Sequence, residues 1–371
     1  MNPEQRCTAF TKIKGERSNW ESYWQTLHDN WDIASEDINR TYSAGTELDF
    51  SELYDATSLN IANILPSGLM HSMTPFSGHW VKFQHKDKAI NNKRAVGKWF
   101  KDAEDVVFDI LSGSNFYDEV FSFYKDTAVY GTSNLYMEFD QQDVVRFRTL
   151  PIKQCYIVDD ARGRTSEYYI EFEYTGAQAI DRFGSNNVAP EVREAYDSGE
   201  RSGEKKKTYV LYIGPRYSRN DTKDDNASMP IQACWYDLKE KKMVQESGYM
   251  RMPAFTHRFY KRSNIAYGFS PAMMALMNSR YASTMANTQL ISAMMHAQPA
   301  YAVPSDTFLQ PLNFNPLQIN EYDSRDPIKD KVMPLGLGGD TQVNEMMLQK
   351  QYENMKEAMF YNAFVSFQGI T

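Results

Sequence analysis

Cysteine is scarce in this chain of 371 residues: Cys7, Cys155 and Cys234 are odd in number and far apart. They supply neither a disulfide framework nor a zinc-binding spacing, and they suit a protein made in a reducing compartment. The six histidines (28, 71, 79, 85, 257 and 296) include no His-Glu-x-x-His pair. No apolar run approaches the ~20 residues of a membrane span. The N-terminal MNPEQRCTAFTKIKGER has basic residues but no apolar core behind them, so no signal peptide is expected. Positive charge is also in deficit, with 40 Lys and Arg against 48 Asp and Glu, a formal charge of −8. Phosphate binding is driven by Lys and Arg releasing counterions. The acidic balance therefore argues against a tight grip on nucleic acid, while leaving room for a surface past which DNA slides.

Catalytic signatures are missing as well. There is no GxxxxGK[ST] phosphate loop and no G-x-S-x-G elbow with a partner set. The glycine cluster Gly336–Gly339 reads as a flexible joint before a helix. Asp221, Asp224 and Asp225 do not follow the calcium-loop spacing, and calcium requires six or more oxygens. The expectation is a protein that is not an enzyme, with no cofactor and no metal.

What is present is globular: 42% apolar and 24% charged residues. Ser18 and Glu21 stand in capping-box spacing before a stripe of Trp20, Trp24, Leu27 and Trp31, which predicts a buried helix face. A second helix is expected from near Ser51 through Leu53, Ile61, Ile64 and Leu65, kinked or ended by Pro66. A turn over 74–78 and a strand over Trp80–Phe83 should follow. Helices are expected from Val96 to Gly113 and from Phe116 to Gly131, the latter closed by a left-handed glycine. The period then changes to two. Strands are expected at 135–139 and 145–147, and a hairpin of 155–158 with 168–174 around Asp159–Gly163. Two short helices (176–183 and 188–196) precede strands near 209–213, 231–236 and 243–249. Residues 198–208 and 218–229 read as polar loops. The fold class is α+β.

Beyond this body the chain changes character. Ser270 caps and Pro271 begins a helix of roughly 28 residues, ~42 Å at 1.5 Å per residue. A compact insert with prolines at 304, 311, 316, 327 and 334 follows. Asp340 and Thr341 then cap a second long helix to about Phe367. The first helix holds only Arg280 as a charge, and the segment 341–371 has two Lys against three Glu. Neither has a basic stripe. Met273, Met277 and Tyr281 on the first helix, with Leu348, Tyr352, Met355 and Met359 on the second, are candidates for subunit contact. Large apolar side chains left exposed cost roughly 1.5–3 kcal/mol each, so such stripes call for neighbours.

Three segments resemble the portal (head-to-tail connector) family of podovirus-type phages, in the family's order and at similar spacing. They are LNIANILPSGLMHSMTPFSGHWVKF (59–83), the run 130–183 containing YGTSNLYMEFD and IKQCYIVDDARGR, and MPAFTHRFYKRSNIAYGFSPAMMALMNSRYASTMANTQLISAMMHAQPAYAVP (252–304). Pro66 departs from the family's smooth small-residue helix. The resemblance implies a wing over 1–262, stem helices over 263–298 and 341–371, and a clip over 299–340. The chain stops at FQGIT, where family members continue into a tunnel loop and crown. It implies a dodecameric ring at one capsid vertex, assembled in the host cytoplasm, that passes double-stranded DNA and contacts no membrane. Its partners would be terminase, tail adaptor or tail tube proteins, and the major capsid and scaffolding proteins. Gln349, Glu353 and Lys356 would face the channel, and Phe308, Asn313, Phe314 and Asn315 would dock a partner at the clip. Two other classes stay open: a virion protein without a channel, and an unrecognised hydrolase.

Overall fold

The computed structural model describes residues 2–40, 54–140, 142–197, 206–217, 226–263, 265–297, 300–302, 333–335 and 341–368. Helices and two principal antiparallel sheets make a mixed α+β body, in agreement with the expected class.

The chain opens on a helix that the sequence reading did not anticipate, α1 (Pro3–Glu16). Its start follows local rules: Pro3 sits in the first turn, and the Gln5 side chain accepts from the Asn2 N–H at 3.2 Å. The capping box expected at Ser18 is replaced by Arg17, which closes α1 and opens α2 (Ser18–Trp31) without a break wide enough for a cap. Glu21 turns to the Arg17 guanidinium instead. That buried guanidinium donates to the carbonyls of Ile152, Lys153 and Cys155 at 2.6–2.9 Å and lies 3.5 Å from the Tyr156 ring centre. The expected Trp stripe is inward: Trp24, Leu27 and Trp31 are buried and Trp20 is half-buried.

The next helix comes as two pieces, α3 (Thr57–Ile61) and α4 (Ile64–Met73). Pro66 is third in α4, where its missing N–H would have had no partner, so the chain breaks just before it and continues helical beyond. The strand expected at Trp80–Phe83 is absent. The segment is irregular, and the Phe83 N–H is taken by the Glu104 carboxylate at 2.5 Å. Then come α5 (Lys88–Asn91), α6 (Arg94–Gly113) and α7 (Phe116–Tyr130), the last ended by Gly131 at φ 75°.

The first sheet contains β1 (Thr132–Asp140) and β2 (Val144–Leu150); the second is a five-stranded meander. The meander starts with β3 (Cys155–Asp159) and β4 (Thr165–Tyr174). After α8 (Gly176–Phe183) and α9 (Pro190–Asp197) it ends with β5 (Lys207–Pro215), β6 (Ile231–Asp237) and β7 (Lys242–Tyr249). Side chains alternate between its faces. Ile170, Phe172, Leu211 and Trp235 enter the main core, where Trp235 and Phe183 of α8 pack 5.2 Å apart. Tyr156, Tyr169, Tyr212 and Tyr236 face the opposite side, and α1 covers them with Cys7 and Phe10. Burying Phe10 in this way is worth roughly 1.5–3 kcal/mol, which explains why a short polar helix docks here.

A second element missed in the sequence is β8 (Ala254–Arg258), which completes the first sheet in the order β2-β1-β8. It carries the chain to a tight crossing. The Gly131 carbonyl accepts from the Phe259 N–H at 3.0 Å, and the Thr132 hydroxyl accepts from the Gly268 N–H at 2.7 Å. A methyl group on Gly131 would come within 2.6 Å of the Phe269 carbonyl carbon, and one on Gly268 within 2.4 Å of the Gly131 oxygen. Both positions therefore need glycine. Gly131→Ala combines the positive φ with a backbone clash and is expected to cost about 2–4 kcal/mol in urea unfolding. Gly15→Ala, inside α1 with no heavy atom within 4 Å of the added carbon, should gain up to ~1 kcal/mol. Equal midpoints for the two variants would contradict this account of the crossing.

Candidate functional site

His28, Asp29 and Asp37 bring ligand-type atoms within 4.8 Å of one another. The Gln25 amide nitrogen occupies the space between them, donating to Asp29 at 2.8 Å and to Asp37 at 2.6 Å. Its oxygen accepts from the backbone N–H groups of Ile38 and Asn39, so the group reads as a polar tie between α2 and the following loop. The three thiols are buried, and burial raises each of them, Cys155 to about 12. A thiol so placed is not a nucleophile at neutral pH. A cleft of about 730 Å³ lies between the two sheets beside Tyr136, Glu138, Arg182, Trp235 and Tyr249. Its arginine is already paired with Glu138, and the hydroxyls of Tyr136 and Tyr249 are bonded to each other at 3.0 Å. Asp221, Asp224, Asp225 and Gly336–Gly339 lie outside the described residues.

The long helices hold the other candidates. Ser270 and Pro271 start α10 (Pro271–Ala297) as expected. The Ser270 hydroxyl accepts from the Met273 N–H at 2.9 Å and donates to the Val129 carbonyl at 2.7 Å, so the cap also anchors α10 to the end of α7. The inward side of α10 is built from small residues, Ala272, Ala275, Ser279, Ala282 and Ser292, interspersed with Met273, Leu276 and Met285. Small side chains let neighbouring backbones come close.

The outward side of α10 carries a mostly apolar row, flanked by the exposed Arg280. Met274, Met277, Tyr281, Thr284, Thr288 and Ile291 recur at steps of three and four residues and are all exposed, Met277 to 72%. This is the spacing of a helix–helix seam. The two threonine hydroxyls donate back to carbonyls four residues earlier, Arg280 and Thr284, both at 2.9 Å. Their polar groups are thus satisfied within the helix, and their methyl groups are left for the seam. A row of large apolar side chains belongs in an interior, yet among the described residues nothing covers this one.

Beyond α10, β9 (Ala300–Ala302) pairs antiparallel with β10 (Met333–Leu335), and α11 (Thr341–Ala358) returns alongside α10. The single helix expected to run to Phe367 is instead broken at Phe360, whose φ of 59° is left-handed, and resumes as α12 (Tyr361–Gln368). Leu348, Met355 and Met359 are buried within the chain, as is Met273, and Tyr352 is half-buried against the same core. Of the residues named as candidate subunit contacts, Met277 and Tyr281 alone have substantial free surface. Gln349, Glu353 and Lys356 are exposed on one face of α11 at i, i+4 and i+7. Phe308, Asn313, Phe314 and Asn315 lie outside the described residues. Thr284, Thr288 and Ile291 were missed because polar and apolar residues are mixed around α10 and no stripe stands out; the three-four spacing was the available signal.

Residues 5–371 match the family model described as "Bacteriophage head to tail connecting protein". Among curated proteins, the chain is 26% identical over 280 residues to the "Probable portal protein" of Bordetella phage BPP-1, covering 74% of this chain and 49% of that one. It is 25% identical over 287 residues to the "Portal protein" of Salmonella phage epsilon15, with the same shares covered. The chain thus spans about half the length of the curated relatives it matches.

After the α10–α11 hairpin, α12 packs on α4. The Phe364 ring lies where a methyl group on Gly68 of α4 would project, 2.5 Å from its nearest ring atoms. Gly68→Ala should therefore lift α12 from α4. Hydrogen exchange over 361–368 is expected to accelerate at least tenfold, with global stability changed by less than about 1 kcal/mol. Unchanged protection of these amides would show that α12 is not held by this contact.

Proposed function

The chain belongs to the bacteriophage head to tail connecting protein family, and from that membership we propose that it is the portal subunit of a ring through which viral double-stranded DNA enters and leaves the head. The observation that carries the proposal is the exposed apolar seam of α10, from Met274 to Ile291, on a helix already packed along its other side. Repeated side-by-side contact between identical subunits closes into a ring when the rotation permits, and the family resemblance puts that ring at about twelve copies. In that ring, Met277 and Tyr281 of one subunit lie against a neighbour. Met273, Leu348, Tyr352, Met355 and Met359 hold the helices that present the seam.

The division of labour follows the family resemblance: a wing over 1–262, stem helices over 263–298 and 341–371, and a clip over 299–340. Gln349, Glu353 and Lys356 face the channel. Their two opposite signs and one neutral amide give little net attraction to phosphate, which suits a wall that DNA must pass without being held. The clip, with Phe308, Asn313, Phe314 and Asn315, docks terminase during filling and the tail adaptor or tail tube proteins afterwards. The wing meets the major capsid and scaffolding proteins. The protein is a component of the virion, placed at one capsid vertex after assembly in the host cytoplasm. Its role calls for no covalent chemistry on the part of this chain.

The test is to put charge into the seam. Met277→Glu combined with Ile291→Glu changes two exposed side chains, so the subunit should keep its far-ultraviolet circular dichroism. Mass photometry should find the parent near about twelve subunit masses and the variant at the single 42.9 kDa subunit. Rings of unchanged mass in the folded variant would overturn the assignment of the seam.

A further inference from the structure

The acidic average conceals one strongly basic stretch. Between residues 82 and 101 the chain has seven cations and a single anion, Asp87, for a net charge of +6; everything outside this stretch carries −14 of the total −8. Arg94, Lys98 and Lys101 lie at i, i+4 and i+7, one face of α6. Lys82, Lys86, Lys88 and Lys93 precede them in the irregular segment and α5.

Local hydrogen bonds hold the segment that carries Lys82, Lys86 and Lys88 against α5 and α6. The Asn91 side chain accepts from the His85 N–H and donates to the His85 carbonyl, both at 2.7 Å, folding 85–87 back on α5. The Glu104 carboxylate accepts from the Phe83 N–H and ties the same segment to α6. Asp87 is engaged as the cap of α5, accepting from the Ala89 N–H at 2.9 Å. All seven cations are exposed, and among the described residues none forms an ion pair. One turn beyond the basic stretch, the His79 imidazole lies 3.7 Å from the Asp105 carboxylate of α6. Trp99, 65% exposed, stands among the charges beside Lys98.

We infer that this patch binds the phosphate backbone of double-stranded DNA, without reading its sequence. Holding seven unpaired cations together is unfavourable unless a partner neutralises them. Their shared sign, interrupted by the capping Asp87 and followed on α6 by Asp102 and Asp105, fits a partner whose charges are of one sign and evenly spaced, as in a duplex with a phosphate every ~1.7 Å of axis. The interleaved aromatic side chain adds a surface for the sugar face or a frayed base. The site is separate from the near-neutral face of α11 and would hold DNA rather than let it slide.

The experiment uses the purified chain and a fluorescently labelled duplex of about 30 base pairs, with anisotropy followed across a salt series. The parent should bind at low salt with affinity that falls steeply as salt rises. Replacing Lys86, Lys93, Lys98 and Lys101 with Gln should weaken low-salt binding by tenfold or more. It should also reduce the slope of log affinity against log salt by roughly 0.9 per lost contact, three to four in total. A control with Lys12, Lys239, Lys242 and Lys350 replaced by Gln removes the same charge elsewhere and should change the slope by less than about one. Absence of binding by the parent, or an equal loss in the control, would overturn the proposal. Displacement of DNA by polyglutamate at equal charge would assign the patch to an acidic protein instead, and would likewise overturn it. Because binding is read on ring and separate subunit alike, failure here is distinct from failure to form a ring.

Discussion

The backbone crossing of Gly131 and Gly268 is the constraint on which the arrangement depends. It joins the end of α7, the start of β1, the end of β8 and the start of α10 within a few ångströms. Only two residues without side chains permit it. The Ser270 hydroxyl then locks the first turn of α10 to the Val129 carbonyl. Trp20 and Trp24 of α2 pack on the neighbouring Phe269 and Tyr267, at 5.6 and 4.9 Å between ring centres. A helix of 27 residues projecting from a body acts as a lever, so a small error at its root becomes a large displacement at its tip. Fixing the root by backbone contact and a buried hydroxyl, rather than by adaptable side chains alone, keeps that error small.

From this root α10 divides its surface between two tasks. Alanines and serines on one side let it pack closely within the chain, and the Met–Tyr–Thr–Ile seam on the other lies exposed. Methionine is unbranched and polarisable, and it fills irregular gaps. In the proposed ring, such side chains would tolerate the small changes of angle between subunits that passage of DNA demands. The turn at Phe360, in a left-handed conformation unusual for an aromatic residue, lets α11 end and α12 fold back to α4. This ties the returning helix to the same body from which α10 departs.

How much of this was legible in the sequence follows from the range of the interaction behind each feature. Ser270-Pro271 and Gly131 act through their own backbone, and the ends they mark were found. The strands through β7 were legible as short apolar and aromatic runs bounded by turns, although β5 and β6 are buried on both faces and do not alternate in burial. β8 was not, since Ala254–Arg258 is short and gains its meaning only by pairing with β1 across more than a hundred residues. α1 was missed because its few apolar residues make sense only against the far face of the meander. Trp80–Phe83 has strand-like residues, yet Glu104 takes the backbone donor that a strand would need. The α10 seam was hidden because polar and apolar residues are mixed around the helix, and the basic stretch by a net charge averaged over the chain. The family was legible because its segments keep their order, although the residues proposed for the clip fall outside the described structure.

The central claim is that α10 carries the contact between neighbouring subunits, and electron cryo-microscopy of the purified protein tests it most directly. The account predicts closed rings with a central opening wide enough for duplex DNA, in which the Met274–Ile291 face of each α10 lies against the adjacent copy. Rings whose α10 seams all face solvent, or a protein that stays monomeric at high concentration, would contradict it.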